Sequence, residues 1–170
     1  SDCNATILKV NDAEFHIIRA FIVLVLKLSE GSFRQLYENL FSWAIKDEPQ
    51  DYNRVITFFR TTTEISKALK SLFLLFTSNL LESAGNILDK CNSSKSKGIG
   101  LIEENQKILT DYILQTIYNI FLHDHQNFIN TQRFNFIMQS LVDQIENPII
   151  VKDENMQQLV KLCISQLAIA

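Results

Sequence analysis

The chain is poor in the residues that break regular structure, with 4 glycines and 2 prolines in 170 residues. Strand-rich folds with many tight connections use both types freely. Their scarcity argues against such folds and for long helices. Cysteine is also sparse: Cys3, Cys91 and Cys163 are odd in number, far apart and outside any CxxC spacing. That excludes a disulfide framework and a paired-cysteine zinc site, and fits reduced thiols inside a cell. No apolar run reaches the roughly 20 residues of a membrane span. The longest, Ile17 to Leu28, is broken by Arg19 and followed by Ser29 and Glu30. Asp12 and Glu14 stand where a secretory signal would carry basic residues. Basic excess is missing as well. The 16 Lys and Arg against 19 Asp and Glu give a net charge of −3. They are scattered, whereas phosphate-backbone binding needs them clustered.

What is present is bulk: 46% of residues are hydrophobic and 12 are Phe, enough for a sizeable core. The chain opens on Ser1 rather than Met, so a fragment or processed product is expected. Phe33, Leu36, Tyr37, Leu40, Phe41 and Ala44 fall on one face of a helix that opens at Ser29 or Ser32. Before it, the run Ala20 to Leu26 is apolar all round, so a first helix from about Asp12, capped by Asn11 or Asp12, should be buried on most sides. Breaks occur at Pro49, at Asn92 to Gly100 and at Pro148. They leave blocks of about 40–47 residues, the size of a HEAT-type helix pair. A turn or kink is expected near Leu69 to Ser71, because an unbroken helix there would be too long. Caps are expected at Asp51, Asn130 and Asp153, and Gly85 marks either a helix end or a close helix contact.

The resulting expectation is an all-α, HEAT-like α-solenoid fragment of about seven helices in stacked antiparallel pairs. The pairs cover residues 12–46, 51–91 and 101–146, and a last helix covers 153–168. That unpaired helix should expose Leu159, Cys163 and Leu167 unless something packs there.

Catalytic signals are weak. His123-Asp124-His125 gathers two imidazoles and a carboxylate, but i and i+2 side chains diverge on a helix, so a polar junction is the better reading. Gly98-Ile99-Gly100 lacks the order of a phosphate loop. Adjacent carboxylates at Asp47-Glu48, Glu103-Glu104 and Asp153-Glu154 suit helix ends. The sequons at Asn4 and Asn92 are short enough to arise by chance. No enzyme site and no cofactor is expected. Arg34 and Trp43 are residue types that anchor interfaces, and Lys95 and Lys97 lie in a polar loop. These four are the candidate partner contacts. The alternative for Arg34 is a pair with Glu30 or Glu38, and for Trp43 packing on a neighbouring helix.

Several stretches, in order along the chain, resemble one family. They are Leu26-Lys27-Leu28-Ser29-Glu30, Phe33-Arg34, Leu36, Leu40 and Trp43-Ala44, then Leu69-Lys70-Ser71-Leu72-Phe73 and Leu75-Phe76. Phe121-Leu122, Asp124, Gln126 and Phe128-Ile129 follow, and then Leu141-Val142-Asp143-Gln144-Ile145-Glu146-Asn147. The family is the large HEAT-repeat proteins of the small-subunit processome, called HEAT repeat-containing protein 1 in animals and U-three small nucleolar RNA-associated protein ten in yeast. Gly31 and the lysine-serine-glycine loop depart from its pattern. The resemblance implies a piece from near the C-terminal end of a long solenoid in the nucleolus of the nucleus. It would be a non-enzymatic scaffold supporting pre-ribosomal RNA transcription and processing. Its partners would be other processome proteins, with RNA reached mainly indirectly or through other parts of the parent protein, and no membrane. A generic solenoid adaptor and a secreted four-helix bundle are the rival readings.

Overall fold

The computed structural model describes residues 2–47, 51–95, 99–125 and 127–170, with side chains from Asp12 onward. The expected cap Asn11 and break Pro49 therefore lie outside what is described. The helices are α1 (Asp2–Val25), α2 (Glu30–Phe41), α3 (Tyr52–Leu69), α4 (Leu80–Cys91), α5 (Glu103–Leu122), α6 (Thr131–Asp143), α7 (Pro148–Val151) and α8 (Glu154–Leu167). A π turn, Ser42–Lys46, extends α2, and 3₁₀ segments Lys70–Phe76 and Gln144–Glu146 follow α3 and α6. No strand occurs among the described residues. The fold is all-α and HEAT-like, as the periodicity requires.

Four caps form where the sequence places short polar side chains. Ser29 accepts from the Ser32 amide, Asp51 from Asn53, Asn130 from Arg133, and Asp153 from Asn155 and Met156. Each satisfies amides that the first turn leaves unpaired. The break after α3 falls at Lys70, whose φ of 53° and ψ of −125° end the helix.

Alternate helices run side by side in parallel. Thr63 and Thr116 share a hydroxyl bond of 2.9 Å, and Asn119 Nδ2 donates to Ser66 Oγ at 2.9 Å, so α3 and α5 advance together. Lys107 with Asp153, then the Leu114 carbonyl with Cys163, set the same sense for α5 and α8. Side-chain bonds crossing between successive pairs join residues 41 to 56 apart, from the spacing of the sequence breaks to somewhat beyond it. Two layers of parallel alternate helices are what stacked helix pairs produce.

The core is aromatic at one end and aliphatic at the other. Phe58, fully buried, lies 5.2–5.9 Å from the ring centroids of Phe59, Phe41 and Tyr37. Phe33, Phe73 and Phe76 extend the cluster by edge contacts. In α5 and beyond, Leu109, Ile113, Leu114, Ile117, Ile137 and Val160 fill the interior. Gly85 brings α4 close to α6: a Cβ there would lie 2.9 Å from Phe136 and 3.4 Å from Ile137 and Ser140. Phe136 is partly exposed and can shift. Gly85→Ala is therefore expected to change stability by less than about 1 kcal/mol, helix propensity offsetting the squeeze. Gly85→Leu should cost about 3 kcal/mol in a urea melt, because it must push the helices apart.

Two expectations about the ends fail. First, α1 begins ten residues before Asp12 and is not buried on most sides. It packs along α3 through Glu14, Ile18 and Val25, while Phe15, Ile17, Val23 and Leu24 are exposed. An apolar circumference predicts burial only where neighbours exist on every side, and α3 is its main neighbour. Second, Cys163 and Leu167 are buried and Leu159 packs on the core. The last helix lies in the groove between α5 and α6, so it closes on the preceding pair. Leu162 faces solvent instead.

Burial pushes the Cys91 and Cys163 thiols up to about 12. Neither is disulfide-bonded. Both should resist iodoacetamide in the folded protein and label completely in denaturant, read by mass spectrometry.

Candidate interaction surface

Arg34, Trp43 and Lys95 are each occupied within the molecule, at three separate places. Lys97 lies outside the described residues. Arg34 pairs with Glu30 at 3.0 Å, donates to the Leu75 carbonyl at 3.2 Å and stacks 4.9 Å from the Phe76 ring centroid. It thereby clips α2 to the 3₁₀ segment after α3. The fork geometry matters, since Lys lacks the planar group that stacks on Phe76 while donating to two separate acceptors. Arg34→Ala and Arg34→Lys are both expected to cost about 1 kcal/mol, the exposed pair being weak and the stacking modest. Thermal melts of the two variants check this.

Trp43 sits in the π turn with 38% of its surface exposed. Arg54 lies 5.5 Å from the ring centroid and is held there by Asp47 and Asp51 at 3.6 and 3.7 Å. The ring is backed by a cation on one side and open on the other. Extra residues in a turn of this kind redirect side chains, and such turns recur at functional sites.

Lys95 joins a junction that sequence reasoning missed. Its ammonium pairs with Asp89 at 3.2 Å and with Asp143, and these carboxylates hold it charged, above its ordinary value. Beside it, Asn92 donates to the Asp143 carbonyl at 2.8 Å, and Ser94 to the Glu146 carbonyl at 3.2 Å. Gln144 reaches the carbonyls of Leu88 and Ser140, and Asn147 donates to Gln144 Oε1 at 2.8 Å. Asn92, Gln144 and Asn147 are all buried. This network ties the C-terminal ends of α4 and α6. It also answers the sequon at Asn92, whose amide nitrogen is bonded and inaccessible. The other sequon, at Asn4, lies outside the described side chains.

The His123-Asp124-His125 cluster is a corner. Asp124 accepts from the amides of Phe128 and Ile129 at 2.9 and 2.7 Å, which folds the loop before α6. Burial, with help from Lys70 and His125, lowers the His123 pKa and keeps the ring neutral more readily. Among the described residues no group of three or more His, Cys, Asp or Glu is placed to hold a metal ion. Among them, too, no helix is long and apolar enough to cross a membrane.

A ladder of parallel helices with occupied polar groups is a packing architecture, and comparison with known proteins gives it a family. The BP28CT (NUC211) domain model matches residues 2–129. The chain belongs to that family. The HEAT repeat-containing protein 1 homolog of Drosophila melanogaster is 37% identical over 161 residues, covering 95% of this chain and 8% of the fly protein. Human HEAT repeat-containing protein 1 is 35% identical over 170 residues, again covering 95% of this chain and 8% of the relative. U3 small nucleolar RNA-associated protein 10 of Lodderomyces elongisporus is 28% identical over 142 residues, covering 80% and 7%. The resemblance read from the sequence is borne out, and this BP28CT chain spans under a tenth of these relatives' length.

Proposed function

We propose that this chain is a segment of a non-enzymatic scaffold for ribosome biogenesis, acting in the nucleolus within the small-subunit processome. The observation that carries the reading is the similarity over 95% of the chain to HEAT repeat-containing protein 1 of fly and human. The Lodderomyces relative is named for association with the U3 small nucleolar RNA. The architecture supports a scaffold, since stacked pairs expose long faces and their polar side chains serve helix ends and junctions. The uncovered apolar side of α1 is a face on which a further helix of a longer solenoid would pack. Direct partners are other processome proteins. A net charge of −3 supports RNA association made through them or through other parts of a longer protein. Among the candidate contacts with described side chains, Trp43 keeps one face of its ring open to a partner.

A tagged protein should concentrate in the nucleolus and co-purify with small-subunit precursors. Diffuse cytoplasmic signal with no pre-ribosomal proteins recovered would overturn the proposal. Recovery of transport receptors or cargo instead would point to an adaptor.

A further inference from the structure

We infer that the rim formed by the α1–α2 turn and the segment after α3 is a docking groove for an acidic linear peptide that inserts one large apolar side chain. Val25, Leu28, Phe33, Leu69 and Phe76 line a depression of about 160 Å³, and Leu72 and Leu75 stand on its open side. Leu72 is 62% exposed and Leu75 48%. Small-molecule pockets run to several hundred Å³, so this groove is sized for a side-chain anchor. It lies where α1 and α3 end together. Stacking of further helix pairs buries the flanks of helices and leaves such a rim open. The docking role holds whichever assembly the protein joins.

Charge names the occupant. Lys27 directly precedes Leu28 and Lys70 directly follows Leu69, both are exposed, and neither pairs with a carboxylate among the described residues. The one carboxylate lining the groove, Glu30, is already held by Arg34 at 3.0 Å. An apolar slot whose lining residues Leu28 and Leu69 each stand next in sequence to an exposed, unpaired lysine fits an anchor flanked by Asp or Glu. Lys70 adds a second sign. It holds a φ of 53°, where a residue with a Cβ is strained and glycine is at ease. A lysine at such a position puts its charge next to the groove-lining Leu69 at a cost in stability.

The test is fluorescence anisotropy with the whole 170-residue chain. The probe is a short labelled peptide with one central leucine between glutamates. Controls replace the leucine by alanine or the glutamates by lysines. The leucine–glutamate probe should bind tightest. Leu72→Ser, at an exposed position, should weaken it about tenfold. Lys27→Glu with Lys70→Glu should transfer preference to the lysine-flanked probe, with circular dichroism confirming that each variant folds. Four results would each overturn the proposal. They are equal binding of all three peptides, no saturable binding, displacement by oligouridylate acting as a better ligand, or sedimentation showing that Leu72→Ser merely dissolves a dimer of this chain.

Discussion

Phe58→Ala should lower stability by about 4 kcal/mol, the largest effect of any single truncation considered. The side chain is fully buried and touches three other rings. Its loss removes transfer energy, leaves a cavity and breaks edge-to-face contacts worth up to about 1 kcal/mol each. Domains total only about 5–15 kcal/mol, so the change is a large share of the whole. A stacked architecture also makes it a local event. The rings around Phe58 come from α2 and α3, and Tyr37 links them to Phe73 in the segment after α3, so hydrogen exchange should rise there first. Protection in α6 to α8 should persist. Uniform loss of protection along the chain would show that the pairs unfold as one. Phe15→Ala, on the exposed side of α1, is the matched control and should be near neutral.

Asn147→Ala comes next, at about 3 kcal/mol. Asn147 is fully buried; its Oδ1 accepts from the Ile149 amide and its Nδ2 donates to Gln144. Alanine removes the cap of α7 and leaves the Gln144 oxygen buried without a partner. Each loss is worth about 1–2 kcal/mol. Asn147→Asp keeps the cap but buries a charge against another acceptor, so it should rescue nothing. Chemical denaturation of the pair of variants reads both effects. If Asn147→Asp matched the parent protein, the donor role assigned to Nδ2 would be wrong.

The parts of this fold legible in the sequence are those fixed by local chemistry. Ser29, Asp51, Asn130 and Asp153 cap because a short polar side chain before an apolar period satisfies orphan amides in any context. The break at Lys70 was readable because forty residues of helix demand one. What was hidden depends on neighbours. The apolar run of α1 looks the same whether one helix or several surround it, so its exposed side carried no signal. Leu159, Cys163 and Leu167 have the spacing of a face to be covered, and that spacing does not say the cover is α5 and α6. For the candidate site, Arg34's pairing with Glu30 was visible as an i, i+4 match, but its grip on Leu75 spans 41 residues. Asn92 and Lys95 read as a solvated loop, since nothing local reveals that Asp143 waits 51 and 48 residues on. The resemblance did mark Asp143, Gln144 and Asn147, without saying why. Their bonds between α4 and α6 supply the reason.

The hydroxyl seam between α3 and α5 has a mechanical consequence. Thr63, Thr116, Ser66 and Asn119 lock those two helices by directional bonds, and directional bonds resist sliding more than dispersion contacts do. At the α1–α3 junction, by contrast, the bonding among the described residues is concentrated in one ion pair, Arg60 with Glu14. Under a bending load the rod would yield at that junction before the middle. Its curvature would change by shear of α1, like the outermost leaf of a spring, while the central pairs moved as a block.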